Sequence, residues 1–374
     1  MSRNSTQGGT LMKNKRTLSI ILTLLVLVTA ARADEIDLYM KAEMAKQRIP
    51  GVSIAVIRNG SELVKARGYG LANVELNVAA SPDTVYRIGS VSKQFLAAGI
   101  LLLAQEGKLR LDDSISKYLE GSPELWKGIT IRHLLSHTSG LVREAPGFNP
   151  LKIQSDLDVI KTAYSLPLRF PVGEKWEYSN LGYFTLAEII SRASGKPWGQ
   201  YMQERVFKPL GMNSTRVVDM KEIVSNRASG YAWKGNRMEN ADTLLALRPS
   251  GAFLSTVMDM ARWDIALYTD KILKQASRDE MWKPVMETSR KITDGATQSY
   301  GLGWFIAEMS GHRAVFHGGS QPGFRAEFTR FIDDKLTVVV LTNADGARPE
   351  VIARGIAAFY IPDLAVKEKA QTAK

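Results

Sequence analysis

Gly89-Ser90-Val91-Ser92-Lys93-Gln94-Phe95-Leu96-Ala97-Ala98-Gly99-Ile100-Leu101-Leu102-Leu103-Ala104-Gln105-Glu106-Gly107 is the stretch on which the fold turns. From Phe95 to Ala104 every residue is apolar or small, and Gly107 stands where a helix C-cap is expected. A helix over Ser90–Glu106 would have no polar face to offer water, so it runs through the centre of the molecule. It is too short for a membrane span, which needs about 20 apolar residues. Ser90 opens this helix, and Lys93 follows one turn later on the same face. A serine hydroxyl is a poor nucleophile until a neighbouring base takes its proton, and a lysine in a dry site, where desolvation favours the amine, is such a base. A second Ser-x-x-Lys, Ser114 to Lys117, follows the charged run Leu109-Arg110-Leu111-Asp112-Asp113 and reads as a solvated loop. Only Ser90 sits at the mouth of a buried helix.

Outward from the helix, strand signals lie at both ends of the chain. Val52–Arg58 and Leu63–Tyr69 are β-rich runs joined by Asn59-Gly60, a hairpin signal. Arg313–His317, Phe324–Phe331 and Leu336–Thr342 read as strands, with a turn at Asp333-Asp334 and a helix from about Pro349 to Tyr360. The middle, from about Phe95 to Trp282, is mostly helix and loop. The expected fold class is therefore α/β (α+β): an antiparallel sheet from N- and C-terminal segments, flanked by helices, with an inserted mostly helical part. Residues 34–374 form a single unit, with 34–89 and about 283–374 in the α/β part and about 90–282 in the helical part.

Two further elements carry chemistry. Tyr178-Ser179-Asn180 follows the turn Pro171-Val172-Gly173-Glu174 and precedes a helical run, Leu181–Ser191. A phenol can shuttle a proton and an amide can hold a substrate carbonyl, although the same pattern suits a plain capped helix start. His317-Gly318-Gly319-Ser320 closes a strand before Pro322-Gly323. Paired glycines admit a close approach to the backbone and free an N–H for an oxyanion; the plain alternative is a hairpin turn with a surface His.

In the order Ser90, Tyr178, His317, these elements resemble the serine β-lactamase and penicillin-binding protein superfamily, with its Ser-x-x-Lys, Tyr/Ser-x-Asn and Lys/His-x-Gly motifs. Arg87–Phe95, Ile131–Gly140, Pro249–Phe253 and Tyr300–Trp304 are similar to segments of its class C-like branch, and the match covers roughly Tyr39 to Tyr360. The resemblance implies Ser90 as acylated nucleophile, Lys93 and Tyr178 as proton-transfer pair, and Asn180 as ligand of the acyl side chain. It also implies His317 and Gly319 in the pocket wall, and the N–H groups of Ser90 and Ser320 as oxyanion hole. Whether Lys93 or Tyr178 is the base stays open. Members acting on β-lactams often carry Lys at the third motif, whereas His-x-Gly occurs in members acting on D-amino acid peptides and in esterase-like ones. With a reference pKa of about 6.5, His317 is mostly uncharged at neutral pH and is expected to gain charge as pH falls. Arg325, just downstream, is the candidate for a replacement charge near a substrate carboxylate. The resulting order is esterase or broad acyl hydrolase, D-amino acid peptidase, then β-lactamase. A non-turnover binding or sensor protein is the reading outside enzymology, and the presence of Ser90, Lys93 and Tyr178 argues against it.

Composition bounds the rest. The 374 residues hold 49 Lys+Arg against 38 Asp+Glu and no Cys, a formal +11. Residues 1–33 contain Arg3, Lys13, Lys15, Arg16 and Arg32 and no acid, so the remainder carries 44 − 38 = +6, spread without basic blocks. No nucleic-acid partner is expected. Those 33 residues read as a signal peptide: a basic n-region, a mainly apolar Leu18–Ala31, and a small-x-small Ala31-Arg32-Ala33 before Asp34. The expected product is exported, periplasmic or secreted, with no membrane attachment after cleavage and a small ester, amide or peptidoglycan-like substrate. No Gly-x-Ser-x-Gly of α/β-hydrolases occurs. His133 and His137 are spaced four apart as on a helix face, but Leu134 stands where zinc hydrolases need Glu. No metal and no cofactor are expected.

Overall fold

The computed structural model describes residues 35–149, 152, 154–219, 221–241, 249–292 and 295–365. The expected signal segment lies outside them. Residues 35–47 are a helix, α1. From Gln47 onward the chain forms one compact unit that holds every other element.

Its frame is a nine-stranded sheet. The N-terminal end supplies β1 (Gly51–Arg58), β2 (Glu62–Asn73) and β3 (Val78–Ala79). The C-terminal end supplies β4 (Met286–Lys291), β5 (Thr297–Tyr300), β6 (Phe305–Met309), β7 (His312–Gln321), β8 (Phe324–Phe331) and β9 (Leu336–Thr342). The order is β3-β2-β1-β9-β8-β7-β6-β5-β4, and the pairings are antiparallel. The two chain ends meet at the β1–β9 seam, where Ile54 faces Val340. Asn59 and Gly60 in the β1–β2 turn have φ of 54° and 72°, as a two-residue hairpin turn requires. Every residue of β9 and all but the last of β1 are buried, the mark of a sheet covered on both faces.

The helix that opens the sequence reading is indeed enclosed. A short 3-10 turn, Gly89–Val91, leads into α2 (Ser92–Gln105), and residues Ser92 to Leu103 are all buried. Phe95 on this helix meets Phe207, Phe253 and Trp263 at ring-centroid distances of 5.3, 5.8 and 5.0 Å. The inserted segment also contains α3 (Ile131–Leu135), α4 (Asn180–Ser194) and α5 (Val257–Ala266), and α6 (Pro349–Ala358) follows the sheet. Strands β4 to β6 escape a reading by pattern: β4 is Met-Glu-Thr-Ser-Arg-Lys, an edge strand with only Thr288 buried.

One buried ion pair fastens α5 to the sheet. Arg330 Nε on β8 donates to Asp264 Oδ1 on α5 at 2.6 Å, both side chains being almost wholly buried. Thr337 on β9 donates to the same oxygen at 2.8 Å, and the guanidinium lies 4.6 and 4.8 Å from the Tyr268 and Trp282 ring centroids. Removing one member strands the other charge out of water. Asp264→Ala is therefore expected to cost about 3–5 kcal/mol. The check is chemical denaturation, and a loss below about 1 kcal/mol would refute the assignment of this pair as an anchor.

Candidate active site

The site lies where α2, the start of α4 and strand β7 converge. Lys93 has no solvent exposure. Its Nζ donates to Ser90 Oγ at 3.1 Å, to Asn180 Oδ1 at 2.9 Å and to the Ser250 carbonyl at 2.9 Å, none of them a charged atom. The same nitrogen lies 4.7 and 5.3 Å from the ring centroids of Tyr178 and Tyr183. The second Ser-x-x-Lys does nothing of the kind: Ser114 Oγ bonds to the Lys127 carbonyl, and exposed Lys117 pairs with Asp113 at 3.1 Å.

Tyr178 is presented by a capped helix start. Ser179 is the N-cap of α4, accepting from Gly182 N at 3.0 Å and donating to the Val142 carbonyl at 2.8 Å. The capped helix start is present, and it sets Tyr178 and Asn180 beside Lys93. Burial pushes the Tyr178 phenol above its ordinary range, with a hydrogen bond from Ser90 and the charge of Arg143 acting in the opposite direction. Asn180 Nδ2 donates to Glu144 Oε1 at 2.6 Å, a partner that no motif announced.

Strand β7 closes the site. Its partner β6 covers it only from His312 to Phe316, so the edge from His317 to Gln321 faces the cleft. A Cβ at Gly319 would stand 1.9 Å from the Ile88 carbonyl oxygen, and one at Gly89, where φ is +53°, would stand 2.6 Å from Ser320 N. Only glycine lets the strand run this close to the turn that carries Ser90. Ser90 consequently borders two clefts: one of about 410 Å³ that includes Tyr178, His317, Gly319, Ser320 and Arg325, and one of about 300 Å³ that includes Asn180, Ser250, Gly251, Gln321 and Asp345.

His317 borders the larger cleft and is 1% exposed, so the plain alternative of a surface His does not hold. Its Nδ1 donates to the Gly318 carbonyl at 2.7 Å, so Nε2 is the acceptor of a hydrogen bond from the Tyr300 hydroxyl at 3.1 Å. Burial, with Lys93 nearby, pulls its pKa down to about 3, so it does not gain charge as pH falls through the range near 6.5. Arg325 borders the larger cleft but is not the replacement charge expected of it: its guanidinium is ion-paired with Asp345 at 2.6 Å and bonded to the Gln321 and Phe324 carbonyls. His133 and His137 do not share a helix face, because α3 ends at Leu135 and His137 has φ +60°. His133 caps α3 from within. His137 is packed against Tyr178, Tyr183 and Tyr300 at centroid distances of 4.3, 5.1 and 4.7 Å, and its Nδ1 accepts from Ser179 N at 3.1 Å. Among the described residues, no cluster of three or more His, Cys, Asp or Glu could hold a metal, and no helix is long and apolar enough to cross a membrane.

With this geometry in hand, comparison with known proteins is decisive: the profile of the Beta-lactamase family matches residues 36–360. The chain belongs to that family. It is a serine hydrolase of the β-lactamase and penicillin-binding protein type, an acyl-transfer enzyme. It is 30% identical to Penicillin-binding protein 4* of Bacillus subtilis over 321 residues, 80% of this chain and 69% of that one. It spans 62% of the length of Protein flp of Staphylococcus aureus, at 29% identity and 83% coverage of this chain. The fold superposes on the octameric penicillin-binding protein homologue from Pyrococcus abyssi with a TM-score of 0.79 at 27% identity, covering 88% and 77% of the two chains. The D-amino acid amidase of Ochrobactrum anthropi SV3 (TM-score 0.73, 23% identity, 86% and 94% covered) and EstCE1, a hydrolase with promiscuous acyltransferase activity (0.75, 21%, 89% and 100%), share the fold.

The two buried imidazoles of this serine hydrolase set a pH dependence of stability. In the unfolded chain each binds a proton near pH 6.5, whereas folded His317 does so only at about 3, and burial likewise holds His137 well below 6.5. Acid therefore favours the unfolded chain: this contribution is intact above about pH 6.5 and falls by up to about 1.4 kcal/mol per pH unit per histidine as pH drops. Urea denaturation of wild type and His317→Gln from about pH 7 to about pH 4.5 should show the shallower decline in the variant. Parallel curves would mean that His317 titrates normally in the folded protein.

Proposed function

We propose that this protein is an exported hydrolase that cleaves ester or amide substrates through an acyl-enzyme on Ser90, with esters and D-amino acid amides or peptides as substrate class. The carrying observation is the placement of Ser90 Oγ, 3.1 Å from buried Lys93 Nζ and at the junction of two clefts. In this reading Lys93, in its amine form, takes the Ser90 proton as Oγ bonds to the substrate carbonyl carbon. The carbonyl oxygen gains the electron pair and is held by the N–H groups of Ser90 and Ser320. Tyr178, kept as a neutral phenol by burial, gives its proton to the leaving amine or alcohol and is restored from Lys93. Water then attacks the acyl-enzyme by the reverse proton path. Asn180 orients the acyl group, and His317 and Gly319 line the wall.

A neutral His317 and an Arg325 already engaged by Asp345 leave these two positions without a free charge for a substrate carboxylate, which favours substrates uncharged there over β-lactams. Export rests on the basic and apolar pattern of residues 1–33.

Four outcomes are expected. A serine-directed phosphonate labels Ser90, and Ser90→Ala abolishes labelling and turnover while Ser114→Ala does not; labelling that survives Ser90→Ala sinks the assignment. Tyr178→Phe and Lys93→Ala each lower kcat by about 10²–10⁴-fold, and the double variant loses far less than the product of the two. Purified mature protein turns over a short-chain p-nitrophenyl ester and a D-alanyl amide faster than a chromogenic cephalosporin, a preference that His317→Lys shifts roughly 10-fold toward the cephalosporin. Mass spectrometry of the exported product should find Asp34 at its N-terminus.

A further inference from the structure

The larger cleft beside Ser90 does not end at its own far wall. Arg290, Gln298, Phe316, Glu327 and Glu350 border both it and a second cavity of about 440 Å³. That cavity adds Lys291, Arg348 and Arg354. Its charges do not cancel. Arg348 Nε is paired with Glu350 at 3.1 Å. Arg354 is bonded to Ser310 Oγ at 3.1 Å and to the Leu364 carbonyl at 3.0 Å. Among the described residues the Arg290 and Lys291 side chains show no hydrogen bond or ion pair, and Arg290 is exposed on edge strand β4. Glu327, the other acid on the shared wall, is 4% exposed; Thr329 Oγ1 donates to its Oε1 at 2.7 Å, and its Oε2 lies beneath Gly318, 3.1 Å from where a Cβ would be. Burial and the neighbouring Glu350 raise its pKa to about 8, so at neutral pH it is mostly protonated and does not offset the cations.

We propose that this second cavity is a substrate subsite for a carboxylate carried on the substrate at a distance from the scissile bond, with Arg290 at the junction as its principal ligand and Lys291 as a supporting charge. A guanidinium with no partner among the described residues, bordering the cleft that holds the nucleophile, offers two parallel N–H groups to an incoming carboxylate. The enzyme thereby separates two demands: neutrality beside the reacting bond, where His317 stands, and negative charge at the far end of the chain.

The inference rests on the Ser90 reading for the direction of the cleft, so its test is a binding measurement that needs no turnover. Two pairs of p-nitrophenyl-type esters are titrated calorimetrically into the Ser90→Ala protein. In one pair the acyl chain ends in a carboxylate or its methyl ester; in the other the leaving group does, and each is made in several chain lengths. In at least one pair the carboxylate form should bind about tenfold tighter at low salt, and the advantage should shrink as salt is raised. Adding Arg290→Ala should erase most of that advantage, whereas Arg290→Lys should keep part of it. No carboxylate preference in either pair, or one that survives Arg290→Ala, overturns the proposal. Wild-type kcat/KM for the same probes is read alongside. If binding shows the preference but no probe is turned over, the proposed hydrolase chemistry fails and the subsite stands.

Discussion

The buried side-chain nitrogen of Lys93 is the point on which the site depends. A primary amine taken entirely out of water must find acceptors or lose the energy of its hydration, and Lys93 finds them on three separate segments: the turn at Ser90, the start of α4 at Asn180, and the carbonyl of Ser250. Those segments lie 3, 87 and 157 residues from Lys93 in the chain. One side chain thus ties the first helix of the inserted part to its middle and to its end. The buried α2 supplies the rigidity, because its apolar residues are packed on all sides and leave Lys93 one direction in which to reach.

The second constraint is backbone proximity. Strand β7 passes so close to the Gly89–Val91 turn that Gly319 and Gly89 have no room for side chains. That approach sets an uncovered strand edge beside the nucleophile, where N–H groups cost no reorganisation when charge develops on a substrate oxygen. It also explains why the sheet loses one partner at this point: β6 stops pairing at Phe316, and the cleft begins.

Charge around the site follows burial more than composition. Despite a formal +11, the groups around the nucleophile other than Lys93 are imidazoles, phenols and an amide, and Arg143, Arg290 and Arg325 border the same cleft. His317 and His137 are kept uncharged by desolvation and by the Lys93 charge they share. The Tyr300 and Gly318 bonds choose the tautomer of His317, which fixes what the wall presents to a ligand.

Local pattern determined a good deal of this protein. The enclosed helix was legible from its unbroken apolar run, the β1–β2 hairpin from Asn59-Gly60, and β8 and β9 to the residue, because burial and turn chemistry are written in neighbouring residues. Ser90 and Lys93 were legible from a nucleophile and a base one turn apart at the mouth of a buried helix, whereas Tyr178 and Asn180 joined them as a set only through the resemblance to the serine β-lactamase and penicillin-binding protein superfamily. Strand β4 was not, since a polar edge strand carries no alternation strong enough to distinguish it from a loop, and the short β5 and β6 were missed with it. Nor were the Ser250 carbonyl on Lys93, Glu144 on Asn180, or the Asp345 partner of Arg325. The titration of His317 was read from its reference value, and only its burial and the nearby Lys93 correct that. These depend on contacts between residues tens to hundreds of positions apart, and on how much water each group has lost. The sequence alone determined which groups can do chemistry; tertiary structure decided their charge and company, because desolvation and long-range approach have no local signature.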